Sequence, residues 1–183
     1  MTYDPSRHHR RSIRLKGYDY SQPGLYFITI NIKDRLHLLG EIDALDIMHP
    51  TAAGRMIEEE WLKLPQRFPN TALHAYIVMP DHFHAILEII QTDITAEVAT
   101  RATPTAVPTT NSTAKPTVGD ILGAFESIVT VLYIRGVKTA GWPPFNGKLW
   151  QRNYYEHIIR TEQAYDNISS YIRTNPKRWN KKQ

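Results

Sequence analysis

The chain has 183 residues and no cysteine. That absence removes disulfides, thiolate zinc sites and cysteine nucleophiles together, and it fits the cytoplasmic location expected here. No apolar run is long enough to cross a bilayer. The basic N-terminus is not followed by the apolar stretch of a signal peptide, so no membrane partner is expected. No internal repeat is found. A hydrophobic fraction of 42% is ordinary for a globular core, and the length suits one domain over residues 1–183. Positive charge is in excess, at a formal +4 with a pI near 9.3. It gathers at the ends, in Arg7-His-His-Arg-Arg11 with Arg14 and Lys16, and in Lys177-Arg-Trp-Asn-Lys-Lys182. A basic arm over about 1–20 and a basic tail over about 176–183 suit a polyanionic partner. Solvated tails that aid solubility are the alternative.

Between these ends the periodicities alternate. Leu25–Ile32 reads as a strand after the turn signal Pro23-Gly24, and residues 37–42 as a second. A helix is expected over 51–64, with Ala53, Met56, Ile57, Trp61 and Leu64 at helical spacing and Pro65 ending it. Strands follow at 72–79 and 82–90. Residues 91–116 are rich in Thr, Ala and Pro without an apolar face, a flexible insertion. Thr117-Val-Gly-Asp120 has the form of a capping box before a helical stripe from Val118 to Leu132 that ends near Gly136. Residues 148–151 suggest a short strand. A last helix runs over 162–173, with Thr161 as N-cap, Asn175-Pro176 as its stop, and Ala164, Tyr165, Ile168, Tyr171 and Ile172 facing inward. The order β-β-α-β-β-α-β-α predicts an α+β fold, an antiparallel sheet with helices packed on one face.

His82 and His84 stand in Met79-Pro-Asp-His-Phe-His-Ala-Ile86. Side chains alternate along a strand, so both imidazoles share a face with Ile86 and Glu88. Phe83, Ala85, Leu87 and Ile89 turn the other way, into a core. Neutral imidazole is a common transition-metal ligand, and this pair can hold one ion. Two histidines on a solvated sheet face are the plainer reading.

Trp150-Gln-Arg-Asn-Tyr-Tyr-Glu-His157 adds tyrosine hydroxyls and a third histidine. A phenol attacks a phosphodiester only if it loses its proton and the phosphate is polarised, which a metal ion assists. If residues 154–160 are helical, Tyr154 and His157 share a face. If they are extended, Tyr154 shares its face with Glu156 instead. Arg152 and Arg160 are either phosphate ligands or solvated.

In these residues the sequence resembles the single-tyrosine HUH transposases, most closely the branch of REP-associated tyrosine transposases. The matching blocks are Arg10-Arg-Ser-Ile-Arg-Leu-Lys-Gly-Tyr-Asp-Tyr20, Gly24–Thr29, Val78–Ile86, Val118–Phe125, Leu149–Arg160 and Tyr171-Ile-Arg-Thr-Asn-Pro176. The resemblance implies a ferredoxin-like or RRM-like sheet, the HUH endonuclease fold. It implies Tyr154 as nucleophile, His82, His84 and His157 as ligands of Mg2+ or Mn2+, and single-stranded DNA bearing a hairpin as partner. Arg10, Arg11, Arg14, Lys16, Arg152, Lys177, Arg178 and Trp179 are the expected DNA contacts, Trp179 by stacking on a base. A monomer or a homodimer would complete the site. Asp81 stands where such proteins often have Asn, and Glu126 where a lysine is common. The implied reaction cleaves and rejoins DNA through a 5′-phosphotyrosine link. The rival readings are a binding module of the same fold without cleavage, and a metallohydrolase that uses water in place of tyrosine.

Overall fold

A computed structural model describes residues 15, 17–91 and 115–179. The branched and aromatic run Gly24–Asn31 forms strand β1. Beyond it, positive φ angles at Asp34 and Arg35 turn the chain away from the sheet. Only Gly40–Ile42 of the expected second strand is extended (β2), and it pairs with Met48–Pro50 (β3) in a separate two-stranded sheet. Thr51 caps helix α1 (Ala52–Leu62) by accepting from the Gly54 N–H. Pro65 does not end the helical path. It sits in the first turn of a short α2 (Leu64–Arg67), where a missing N–H costs nothing.

β4 (Thr71–Met79) and β5 (His82–Ile89) form a hairpin turned by Pro80 and Asp81. The capping box at Thr117 and Asp120 is present, and helix α3 runs from Val118 to Ala140. It runs past Gly136, the residue expected to end it, and the position is glycine because the Trp142 ring lies against it. A Cβ there would come within 2.3 Å of the ring. Gly141, at φ 68°, provides the left-handed cap. Residues 148–151 form no strand, only an isolated bridge between Trp150 and Ile32. The segment that sequence left open is extended, as strand β6 (Tyr155–Ile159). Thr161 caps α4 (Glu162–Arg173) through the Ala164 N–H, and Asn175-Pro176 opens a further short helix, α5 (Asn175–Trp179).

The main sheet has the order β4-β5-β1-β6, with every neighbouring pair antiparallel. This is the expected α+β architecture. One face carries Ile28, Ile30, Phe83, Ala85 and Leu87 beneath α1 and α3. Trp61 is wholly buried there, its ring 5.0 Å from Phe83 and 5.5 Å from Phe125 in edge-on contact. The sequence put the helices on one face, and α1 and α3 share it. α4 lies on the other, where Ile172, Ala164 and Ile168 meet Phe27, Ile86 and Ile159. The histidine face of β5 is therefore covered by a helix rather than open to solvent.

Candidate active site

His82 and His84 leave β5 on that second face, only 6% and 5% exposed, with ring centroids 4.5 Å apart. Each ring has its Nδ1 taken by a neighbour. Asp81 Oδ1 lies 2.5 Å from His82 Nδ1, and Asp81 Oδ2 accepts from Arg35 Nε at 2.7 Å. Thr29, directly across on β1, places Oγ1 2.8 Å from His84 Nδ1. If both Nδ1 atoms donate, both Nε2 atoms are basic and turned to the cleft. Holding one imidazole nitrogen to fix the other is how metal-binding histidines are oriented. Asp81 supplies an acceptor of this kind to His82.

The helical lid supplies the remaining groups. Tyr171 of α4 brings its hydroxyl 3.4 Å from His84 Nε2. The Arg178 guanidinium sits 5.3 Å over the Tyr171 ring, and Trp179 stacks on His82 at 5.9 Å. Together they roof a cleft of about 230 Å³ whose floor includes Thr29, Asn31, His82 and His84. One phenol, two imidazoles and a guanidinium thus converge on one small space.

The expected site residues fare differently. His82 and His84 are adjacent, and Arg178 and Trp179 join them at the cleft. Lys177 lies beside them on α5 but does not line it. His157 does not join them. It pairs with Phe27, which pairs with Ile86, so β1 separates it from β5, by roughly 10 Å at the usual strand spacing. No group of three or more His, Asp or Glu able to hold a metal occurs among the described residues. Tyr154 does not join them either. It packs against the core cluster of the α1/α3 face. Tyr154 immediately precedes β6, and where the chain runs extended consecutive side chains take opposite faces. Tyr155, not Tyr154, shares the histidine face, 44% exposed with its ring 6.1 Å from Phe27. Arg152 is exposed in the loop before β6, on a different cleft. Arg10, Arg11, Arg14 and Lys16 lie outside the described residues, as do most of 91–116 and the tail beyond Trp179.

Tyr171, Thr29 and Asp81 were not among the site residues expected from the sequence. Helical spacing put Tyr171 on the inward face of α4, and inward here means the histidine face. The signal lay in combining two patterns, the inward stripe of α4 and the polar side of β5.

No protein-family model matches the chain. An uncharacterized protein of Haemophilus influenzae (strain ATCC 51907 / DSM 11121 / KW20 / Rd) is 36% identical over 185 residues, spanning 99% of this chain and 96% of that protein. The chain belongs to the family of that protein. Among solved structures, the REP-associated tyrosine transposase bound to a REP hairpin superposes with a TM-score of 0.56 at 20% identity, over 92% of this chain and 74% of that one. The chain has that fold. A structure from Deinococcus radiodurans matches less closely, with a TM-score of 0.42 at 20% identity over 89% of this chain and 97% of its own. No helix among the described residues is long and apolar enough to cross a membrane.

Proposed function

We propose that the protein is a transposase-type nuclease that cleaves and rejoins single-stranded DNA through a covalent tyrosine intermediate, with Tyr171 as the nucleophile. The observation that carries this reading is the Tyr171 hydroxyl, 3.4 Å from His84 Nε2 above the histidine pair. Tyr154, which the resemblance implied, faces the other side of the sheet. The Tyr171 oxygen attacks phosphorus and its proton passes to solvent. The P–O3′ bond breaks, a 5′-phosphotyrosine forms, and the 3′-hydroxyl departs. Attack by a 3′-hydroxyl on that link reverses the step and rejoins strands, so no nucleotide cofactor is needed.

His82 and His84 would hold a divalent ion through Nε2, and two imidazoles suit Mn2+ better than Mg2+, whose preference is for oxygen. Such an ion supplies charge stabilisation at the phosphoryl oxygens. Asp81 and Thr29 fix the two rings, and Arg178, over the Tyr171 ring, offers a guanidinium to phosphate. The solved transposase of this fold carries a REP hairpin, and a hairpin next to the cleaved strand is the partner proposed here.

One observation favours a second reading, a binding module that does not cleave. α5 leaves the histidines about one-twentieth exposed, and cleavage requires that cover to yield. Both readings are separated by incubating the protein with labelled single-stranded oligonucleotides copied from the flanks of its gene, with Mn2+ or Mg2+. A protein–DNA adduct on a denaturing gel, absent without metal and absent in Tyr171→Phe, supports the nuclease. Binding with no adduct under either metal supports the module. Cleavage that persists in Tyr171→Phe would point to water as nucleophile.

A further inference from the structure

β4 does not pair evenly with β5. Leu73 faces Leu87 and Tyr76 faces Ala85, so His74 and Ala75 together stand opposite the single residue Ile86. Such a β-bulge re-aims side chains. Strict alternation would put only one of two consecutive residues on a given face. Here Leu73 and Tyr76 both pack on the α1/α3 side, and the bulge leaves His74 and Ala75 together on the α4 side.

There His74 meets two partners. Its Nε2 lies 2.8 Å from Glu88 Oε2, and its Nδ1 lies 3.1 Å from the Tyr165 hydroxyl of α4. A carboxylate only accepts, so the proton of a neutral His74 belongs on Nε2, and Nδ1 accepts from the tyrosine. The Tyr165 ring stands edge-on to the imidazole, 5.5 Å between centroids. Tyr165, His74 and Glu88 are all half-buried, so water competes for these bonds only in part. The chain of three ties α4 to both strands of the β4–β5 hairpin by directional contacts.

The other contacts of α4 with the sheet differ in kind. Ala164, Ile168 and Ile172 meet Phe27, Ile86 and Ile159, and apolar contact is non-directional. The Tyr171 hydroxyl, 3.4 Å from His84 Nε2, is at the long end for a hydrogen bond. Neither contact fixes where along the sheet the helix comes to rest. Tyr171 follows Tyr165 on the same unbroken helix, about 9 Å further along its axis. A displacement of α4 at Tyr165 is therefore carried to the Tyr171 hydroxyl. A misplacement of about 1 Å at a reacting group can cost on the order of 100-fold in rate.

We propose that Tyr165, His74 and Glu88 are positioning residues, a latch that sets α4 on the sheet and so holds Tyr171 over the histidine pair. This rests on the reading of Tyr171 as nucleophile, but the latch itself is tested without cleavage. The Tyr171 and His84 rings stand 5.3 Å apart, close enough for NMR cross-peaks between their protons in labelled protein. Tyr165→Phe keeps the ring and removes only the hydroxyl, and Glu88→Leu removes the acceptor. Both should weaken those cross-peaks. Both should also slow adduct formation at saturating gene-flank oligonucleotide, by up to about 100-fold, while Mn2+ and oligonucleotide affinities stay within about twofold. Glu88→Gln keeps an acceptor for the His74 Nε2–H and should recover most of what Glu88→Leu loses. Melting is read alongside. A lower melting temperature in Tyr165→Phe with unchanged cross-peaks would make the three residues a stabilising contact only and overturn the proposal. Weakened cross-peaks with an undiminished adduct rate would overturn it too. If the unaltered protein forms no adduct, the cleavage reading fails, and the cross-peaks alone decide whether the latch stands.

Discussion

Asp81→Ala tests whether the histidines are held as ligands. The Asp81 carboxylate is 2% exposed and makes two contacts, to His82 Nδ1 at 2.5 Å and to Arg35 Nε at 2.7 Å. Arg35 is half exposed, so water replaces its lost partner cheaply. His82 is not, and its ring becomes free to change tautomer or rotate. Losing such an orienting partner typically costs 10–100-fold in metal affinity, or about 1.4–2.7 kcal/mol. The stranded Nδ1–H adds about 1–2 kcal/mol of lost stability. Asp81→Asn is the milder change, because its Oδ1 still accepts from His82 Nδ1–H while the charge is gone. It should sit near the lower end, at about tenfold. Mn2+ binding by calorimetry, with thermal melting alongside, reads both quantities. His82→Ala serves as the limit in which binding is lost. Mn2+ affinity in Asp81→Ala within about twofold of the unaltered protein would refute the argument, since the carboxylate would then not be what positions His82.

Other consequences follow from the same geometry. His157→Ala should change Mn2+ affinity by less than about twofold, because β1 separates it from the pair; a drop like that of His84→Ala would restore it as a ligand. Gly136→Ala should destabilise the fold by about 1–3 kcal/mol in chemical denaturation, because the new methyl meets the Trp142 ring; an unchanged midpoint would show that the ring moves freely. Glu126, with its pKa raised by burial from the ordinary carboxylate range to about 7, binds more protons folded than unfolded between those limits. Stability therefore falls as pH rises through that window and is level above it. The full shift corresponds to about 3 kcal/mol, and partial exposure of the side chain reduces this to roughly 1–2 kcal/mol. Glu126→Gln should flatten the slope and gain that amount at pH 8, as urea denaturation at several pH values would show.

The strands that carry the site were legible because their pattern is strong. Alternation along residues 82–89 separates Phe83, Ala85 and Leu87 from His82 and His84, and the structure buries the two sets against different helices. The caps at Thr117 and Thr161 were equally plain, since a side-chain oxygen three residues before a free N–H is a local event. The tyrosine proposed as nucleophile was not legible in this way. Tyr154 was what the resemblance implied, and the residues left open whether 154–160 is helical or extended; from Tyr155 on it is a strand. Tyr171 reaches the histidines by tertiary packing of α4 over the sheet, 87 residues away in sequence. The β2–β3 hairpin was missed for a related reason: its three-residue strands are too short to show periodicity, and it is set by the turn between them, where Asp43 Oδ1 accepts from the Leu45 and Ile47 N–H groups.

The central claim is that Tyr171 is the residue that becomes joined to DNA. Trypsin cuts after Arg152, Arg160 and Arg173, so Tyr154 and Tyr155 fall in the peptide 153–160 and Tyr171 in 161–173. The adduct formed with gene-flank oligonucleotides and Mn2+ would be digested with nuclease and trypsin, and its peptides sequenced by mass spectrometry. The account predicts a nucleotide remnant on Tyr171 within 161–173, with 153–160 unmodified. A remnant on Tyr154 or Tyr155 would contradict it and return the nucleophile to the segment before His157.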